Sequence, residues 1–296
     1  MTFEEFLRAR RTAETAAGTI AYVEHGEGPV ALFVHGVFLN GYLWRDVIER
    51  LGDVRRCIAV DLMAHGATRT RPGQDLSFDG QAAMLAAFCD ALGLDQVDVV
   101  SNDSGTAIVQ LFAARNPGRI RSLTLTNGDV HDNFPPPAAE PMMVAAKQGL
   151  IPEVGRRMLA DVEDARAQFA VGYERPERLS ADTLRAYVEP LFSSPERTKE
   201  VERFILAIDC RSNVAVEPLL RRLMAPTLVV WGTGDIFFGI EWAHWLRDTI
   251  GGARRVIELP DAKLFFPEER PDELAAALRE HWQYAECVGA GTAASA

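Results

Sequence analysis

Short runs of Val, Ile and Leu alternate along this chain with longer segments whose apolar residues recur at helical spacing. Thr19–Glu24 and Val30–Val34 predict strands, and the second runs into His35-Gly36. Arg56–Val60 predicts another strand and ends at Asp61. Leu76–Leu92 has helical spacing and closes at Gly93, a residue suited to ending a helix. Val97–Val100 predicts a strand, Gly105–Arg115 a helix, and Ile120–Thr126 a strand again. Towards the C-terminus, Thr227–Trp231 and Val256–Leu259 predict strands, and Glu241–Thr249 and Asp272–Tyr284 predict helices. Continuous apolar runs separated by helices predict an α/β fold, a mostly parallel sheet covered on both faces.

The middle of the chain departs from this alternation. His131–Ala139 contains three consecutive prolines, which break regular structure. From Met142 to about Val214 the pattern is helical throughout, and strand–helix alternation resumes at Pro226. This predicts a helical cap inserted into the α/β core, over the carboxyl ends of the strands, where open α/β sheets bind ligands. The expected organisation is a core of residues 1–130 and 213–288 with a cap of 131–212. Residues 289–296, GAGTAASA, are small and polar and predict a disordered tail.

Composition narrows the classes of function. The chain has 296 residues, 48% of them hydrophobic, which is enough for a sizeable core. A net charge of −11 argues against a nucleic-acid partner, which usually meets a basic face. No apolar run approaches the roughly 20 residues of a membrane helix. The segment MTFEEFLRARR is charged and amphipathic, without the apolar region of a signal peptide. Four scattered cysteines, none in a CxxC pair, read as reduced thiols of a cytoplasmic protein. With no phosphate loop, dinucleotide fingerprint or metal-ligand spacing, no cofactor or metal is expected. The expected partner is a small-molecule substrate, with no nucleic acid and no membrane, for a monomer or homodimer.

One stretch carries candidate chemistry. In VVSNDSG, Val99–Gly105, an apolar run ends in small and polar residues around Asp103. That spacing suits a nucleophile held on a sharp strand-to-helix turn. Read blandly, Asp103 caps the helix that follows, since Asp is a preferred N-cap. A second register centres the turn on Ser104, but it places the bulkier Asn102 and Thr106 where the turn needs small residues.

Six motifs resemble the α/β-hydrolase superfamily: the His35-Gly36 pair after its strand, the longer loop HGVFLNGYLW (His35–Trp44) that it opens, and then in order DLMAHGAT (Asp61–Thr68), SNDSG (Ser101–Gly105), WGTGDIFF (Trp231–Phe238) and FFPEERPDELAAAL (Phe265–Leu278). The longer loop is similar to the corresponding loop of haloalkane dehalogenases. The haloalkane dehalogenase and epoxide hydrolase branches carry an aspartate nucleophile, and Asp103 matches that position. The resemblance implies an oxyanion hole from the backbone N–H groups of Val37 and Ser104, with Asp235 as the triad acid. Asn127 and Asp129 occupy another place where some relatives carry the triad acid, and with His35, Phe38, Asn102, Phe237 and Leu264 they are the candidate substrate contacts. In epoxide hydrolases of this fold, cap tyrosines protonate the opening ring, and Tyr173 and Tyr187 are the cap's tyrosines.

The pattern breaks at the histidine. Aligning on Glu268-Glu269-Arg270-Pro271 puts Leu264 where the family carries the base that activates water, between Lys263 and Phe265. A positioned general base typically contributes 10²–10⁴-fold, so an ester on Asp103 is expected to hydrolyse slowly. His131, in GDVHDNFPPP, and Lys263 are the candidate substitutes. The halide clamp is also missing, because Ser104 follows Asp103, Val37 follows His35-Gly36, and the cap has no tryptophan. The expectation is an enzyme with Asp103 as nucleophile or general acid/base, acting on a small to medium apolar substrate that is epoxide-, ester- or lactone-like, either hydrolysing it through a substitute base or reacting without hydrolysis by ring opening, cyclisation or isomerisation. The alternative is a ligand-binding protein that kept the pocket and lost catalysis.

Overall fold

The computed structural model describes residues 1–293. Among the described residues, nine strands are formed: β1 (Arg10–Thr15), β2 (Gly18–His25), β3 (Val30–Val34), β4 (Arg56–Val60), β5 (Arg69–Thr70), β6 (Val97–Asp103), β7 (Ile120–Gly128), β8 (Thr227–Gly232) and β9 (Ala253–Leu259). They make one sheet in the order β1-β2-β4-β3-β6-β7-β8-β9, with β5 pairing to β2. From β4 through β9 the neighbours are parallel, while β2 runs antiparallel to β1, β4 and β5. This is the mostly parallel sheet of the α/β-hydrolase fold.

The central strands are buried on both faces, so they are apolar at consecutive positions. β3 and β4 have the bounds that their apolar runs predict. The edges differ. β1 reads RRTAET and buries only Ala13 and Thr15, and β9 reads ARRVIEL and buries only Leu259. Charged edge strands discourage pairing with other chains, and they carry no continuous apolar signal.

The helices are α1 (Phe3–Ala9), α2 (Arg45–Leu51), α3 (Phe78–Ala91), α4 (Ser104–Arg115), α5 (Glu140–Lys147), α6 (Ile151–Ala160), α7 (Val162–Phe169), α8 (Ala181–Phe192), α9 (Pro195–Leu206), α10 (Arg211–Leu220), α11 (Ile240–Thr249), α12 (Phe266–Glu269) and α13 (Pro271–Ala293). Helix α3 packs on α4, α4 on α10, and α2 on α13. Helices α5–α9 lie between β7 and α10 in the chain, and α10 returns it to the core beside α4. Helix α13 continues through Ala293, well past Tyr284. Of the expected tail, residues 294–296 lie outside the described residues. Among the described residues, no helix is long and apolar enough to cross a membrane.

Candidate active site

The site begins at the joint of β6 and α4. Asp103 ends the strand with φ 56° and ψ −136°, a conformation that costs a non-glycine residue free energy and clusters at functional sites. The neighbours make room for it. A Cβ at Gly36 would collide with the Asp103 carboxyl, and one at Gly105 would press on the carbonyl oxygens of Val34 and His35. The sharp turn projects the Asp103 side chain past the strand end rather than into the sheet. It does not cap its own helix.

Only 4% of Asp103 is exposed. The Val37 N–H donates to its Oδ2 at 2.8 Å, and the Ser104 N–H also favours the ionised form. Burial opposes them, and with the nearby Asp235 carboxylate it pushes the Asp103 carboxyl up to about 7. The two N–H groups expected as an oxyanion hole therefore both act on this one carboxyl. Beside it, the Ser104 hydroxyl is buried with no hydrogen-bond partner.

Two further carboxyls stand close by. Asp235, in the loop after β8, accepts from the Asn127 amide at 2.9 Å and from the Phe237 N–H at 2.9 Å. Burial pushes it up to about 6, against those donors and the positive charge of Lys263. Asn127 also donates to the Gly232 carbonyl at 2.9 Å and accepts from the Gly232 N–H at 2.6 Å. It thus ties β7 to β8 as well as holding Asp235. Asp129 lies just past β7, next to Asp103, and its backbone N–H donates to the Asp103 carbonyl at 3.4 Å. It is 4% exposed, and among the described residues nothing donates a hydrogen bond to its carboxyl. Burial first, then the charges of Asp103 and Asp235, raise it well above the usual carboxylate range.

Asp103, Ser104 and Asp129 face a cavity of about 460 Å³ between the strand ends and the cap. The only other polar side chain lining it is Gln168. Val37, Phe38, Phe237, Leu264 and Phe265 form its core side, and prolines, methionines and aliphatic residues of 135–171 form most of the cap side. Leu264 is 3% exposed and closes the cavity where the family histidine was expected. No histidine, lysine, tyrosine or tryptophan among the described residues lines it. Among the described residues, no group of His, Cys, Asp and Glu side chains is arranged to hold a metal.

Several candidates lie elsewhere. Tyr173 and Tyr187 do not reach the cavity. Their hydroxyls donate to Glu268 Oε2 at 2.8 and 2.7 Å, and Arg45 Nη2 donates to Glu268 Oε1 at 2.7 Å. Burial and the Glu268 charge hold both phenols well above their usual range. His131 stands outside the cavity, its Nε2 3.2 Å from a Glu217 carboxylate oxygen and its ring tilted against Trp245 with centroids 4.8 Å apart. Lys263 forms no hydrogen bond to Asp235 and does not line the cavity. Asn102 is spent on structure, its amide donating at 2.9 Å to both Thr126 Oγ1 and the Leu264 carbonyl. His35 accepts from the Leu62 N–H through Nε2 at 3.0 Å, so its Nδ1 donates to the Gly36 carbonyl at 2.8 Å. Burial pushes it down to about 4, and it is a neutral brace for the loop that carries Val37. Sequence reasoning missed the cap-to-core cluster of Arg45 and Glu268. The paired glutamates of PEERP were its only visible sign.

A strand, a sharp turn bearing an acidic side chain and a helix, under an inserted cap, define the class. The alpha/beta hydrolase fold family model matches residues 29–269, and the chain belongs to that family. Within it, the chain is similar to haloalkane dehalogenase 2 of Mycobacterium tuberculosis strain H37Rv, 29% identical over 282 residues, 92% of this chain and 94% of that protein. It is also similar to the cis-3-alkyl-4-alkyloxetan-2-one decarboxylase of Shewanella oneidensis, 27% identical over 269 residues, 86% of this chain and 81% of that one. The solved structure of haloalkane dehalogenase DbeA from Bradyrhizobium elkani shares the fold, with a TM-score of 0.78 at 22% identity, over 94% of this chain and 99% of that one.

Proposed function

We propose that this protein is an enzyme that opens a strained oxygen-containing ring, an epoxide or a lactone, in a small to medium apolar substrate. Asp103 is its nucleophile or general acid/base. The observation that carries this reading is the Asp103 carboxyl itself, held by two backbone N–H groups at the foot of an apolar cavity that contains no histidine. A lone pair of the Asp103 carboxylate forms the new bond to the ring carbon, the ring C–O bond breaks, and its electron pair stays on the oxygen. Where attack falls on a lactone carbonyl, the Val37 and Ser104 N–H groups can follow the developing charge.

Ring strain supplies driving force that an alkyl halide lacks. A clamp for the departing halide speeds attack on haloalkanes, and among the described residues no tryptophan side chain lines this cavity, so alkyl halides should react here more slowly than strained rings. Ring opening consumes no water, which suits Leu264 in the histidine's place. The relative named as an oxetanone decarboxylase supports a four-membered lactone among the candidates, because loss of CO₂ from such a ring also needs no water. A second reading, ligand binding without turnover, is favoured only by the apolar Leu264.

The test is to incubate the protein with a medium-chain epoxide, the matching β-lactone and a 1-iodoalkane, recording intact mass and products. The expected result is an adduct on the peptide holding Asp103, or turnover of a ring substrate, with both lost in Asp103→Asn. Wild type and Asp103→Asn behaving alike with all three probes would sink the reading in favour of a binding protein.

A further inference from the structure

We infer that Asp129 is the proton-transfer partner of Asp103. It gives a proton to the ring oxygen as the ring opens, and then, ionised, takes one from the water that cleaves the resulting ester. This rests on the ring-opening reading above and goes beyond it by naming the acid and the base.

Placement comes first. Strand β7 runs parallel to β6, with Gly128 opposite Asp103, so Asp129 is the first residue beyond the strand on that side. The backbones touch through the Asp129 N–H and the Asp103 carbonyl. Both carboxyls face one cavity.

The environment of Asp129 sets it apart from the protein's other buried aspartates. Asp98 is met by Arg55, Arg121 and Ser122. Asp61 accepts N–H groups from Gly41 and Ala67. The half-buried Asp235 has the Asn127 amide and the Phe237 N–H. Asp129 is as buried, yet has no donor among the described residues and two carboxyls for neighbours. A carboxyl without compensation in such a place is held as the neutral acid. Two adjacent carboxyls whose environments differ divide into an acid and a base. Asp103 keeps two N–H groups that favour its ionised form, and Asp129 keeps the proton.

Elimination points the same way. Four polar side chains face the cavity, namely Asp103, Ser104, Asp129 and Gln168. With Asp103 attacking, Gln168 has no acidic proton and the Ser104 hydroxyl is a weak acid. The cap tyrosines are occupied by Glu268. Asp129 remains.

The steps balance. Asp103 carboxylate attacks a ring carbon, the C–O bond breaks, and the ring oxygen takes the Asp129 proton, leaving a hydroxy-ester and an Asp129 carboxylate. That carboxylate removes a proton from water, and hydroxide adds to the ester carbonyl. The ester C–O bond breaks, the leaving alkoxide takes the proton of the carboxylic acid just formed on Asp103, and Asp103 is again a carboxylate while Asp129 holds the proton it took from water. An epoxide and one water become a diol. One residue acting as acid and then as base is the pattern of retaining glycosidases.

The experiment compares two probes, a medium-chain terminal epoxide and the matching 1-iodoalkane, on wild type and Asp129→Asn. Iodide leaves as a stable anion and needs no proton. In wild type both probes should esterify Asp103, and in H₂¹⁸O the ester should be released with ¹⁸O entering the Asp103 carboxyl. In Asp129→Asn, epoxide esterification should fall about 10²-fold or more, while the iodoalkane still alkylates Asp103, iodide departing, and its ester persists. Retained alkylation by the iodoalkane also reports a folded turn. Asp129→Glu, which keeps a proton but moves it, should fall between the two. Epoxide opening and ester release at wild-type rates in Asp129→Asn would overturn the inference. So would a wild type that takes up iodoalkane and ignores the epoxide, although Asp103 would then stand as a nucleophile. A wild type that reacts with neither probe removes the ring-opening reading and this inference with it.

Discussion

Two regions of this molecule bury carboxyl groups, and they treat them in opposite ways. Glu268 sits between cap and core with its side chain 7% exposed. It meets the Arg45 guanidinium and two tyrosine hydroxyls, so its charge and its lone pairs are matched. About the strand ends, Asp103 and Asp129 are buried and Asp235 half-buried beside them, and among the described residues the one positive charge acting on them is that of Lys263, on Asp235. Compensation makes the first region a fastening. Its absence leaves the second with proton affinities raised into the range where protons move near neutral pH. A buried carboxyl is costly unless paired, and the unpaired ones here face the cavity.

The comparison breaks first on reactivity. Asp103→Asn keeps the shape and the Val37 contact but removes the proposed nucleophile, and ring-substrate turnover should drop at least about 10⁴-fold, measured as product formation under saturating substrate. The same substitution at Glu268 would spare the chemistry if Glu268 is only a fastening. Its cost should be in stability instead. Glu268→Ala leaves Arg45 and two phenols unpaired, which should destabilise by about 3–5 kcal/mol. Urea unfolding checks the size, and limited proteolysis should cut the 140–206 helices first. A Glu268→Ala protein as stable as wild type would erase the contrast.

These two regions were not equally legible. The turn at Asp103 is written in adjacent residues, so local spacing reveals it, as it reveals β3 and β4, whose apolar runs need no partner to be recognised. Strand β1 is hidden because its exposed arginines and glutamate erase the apolar pattern. The Glu268 cluster joins residues 45, 173, 187 and 268, and no local pattern records that meeting. The same cluster explains why cap tyrosines that suit an acid by family likeness are engaged elsewhere. Asp129 was visible as a polar residue after a strand. Its lack of a donor is a property of the assembled fold.

A pH series sharpens the contrast through stability. In the folded protein Asp103 binds its proton up to about pH 7, against an ordinary value of 3.8. Between those limits the folded state holds more protons than the unfolded one, so this group makes stability fall as pH rises. Asp103→Asn removes that dependence. It should be more stable than wild type by about 2–4 kcal/mol at pH 8, with the gap closing towards pH 4. Thermal unfolding at both pH values reads it. A residue that stabilises the fold when removed is one retained for another reason. Equal stability at pH 8 would mean that the carboxyl is compensated after all.

The smallest expected effect concerns the missing histidine. Leu264 lines the cavity, and its carbonyl is fixed by Asn102, so Leu264→His places an imidazole on a braced backbone facing Asp103. Asp235, the residue that would orient it, is already engaged by Asn127 and the Phe237 N–H. The gain in ester release should therefore sit at the low end of general-base catalysis, roughly 10²-fold. It should also depend on background. Where Asp129 already serves as base, a second base adds little, and the full gain should appear only in the Asp129→Asn protein carrying an iodoalkane-derived ester. Release rates followed by intact mass in the four combinations give the coupling directly. Equal acceleration in both backgrounds would mean that Asp129 and the imidazole do not substitute for one another, and that the water reaching Asp103 is activated by neither carboxyl neighbour.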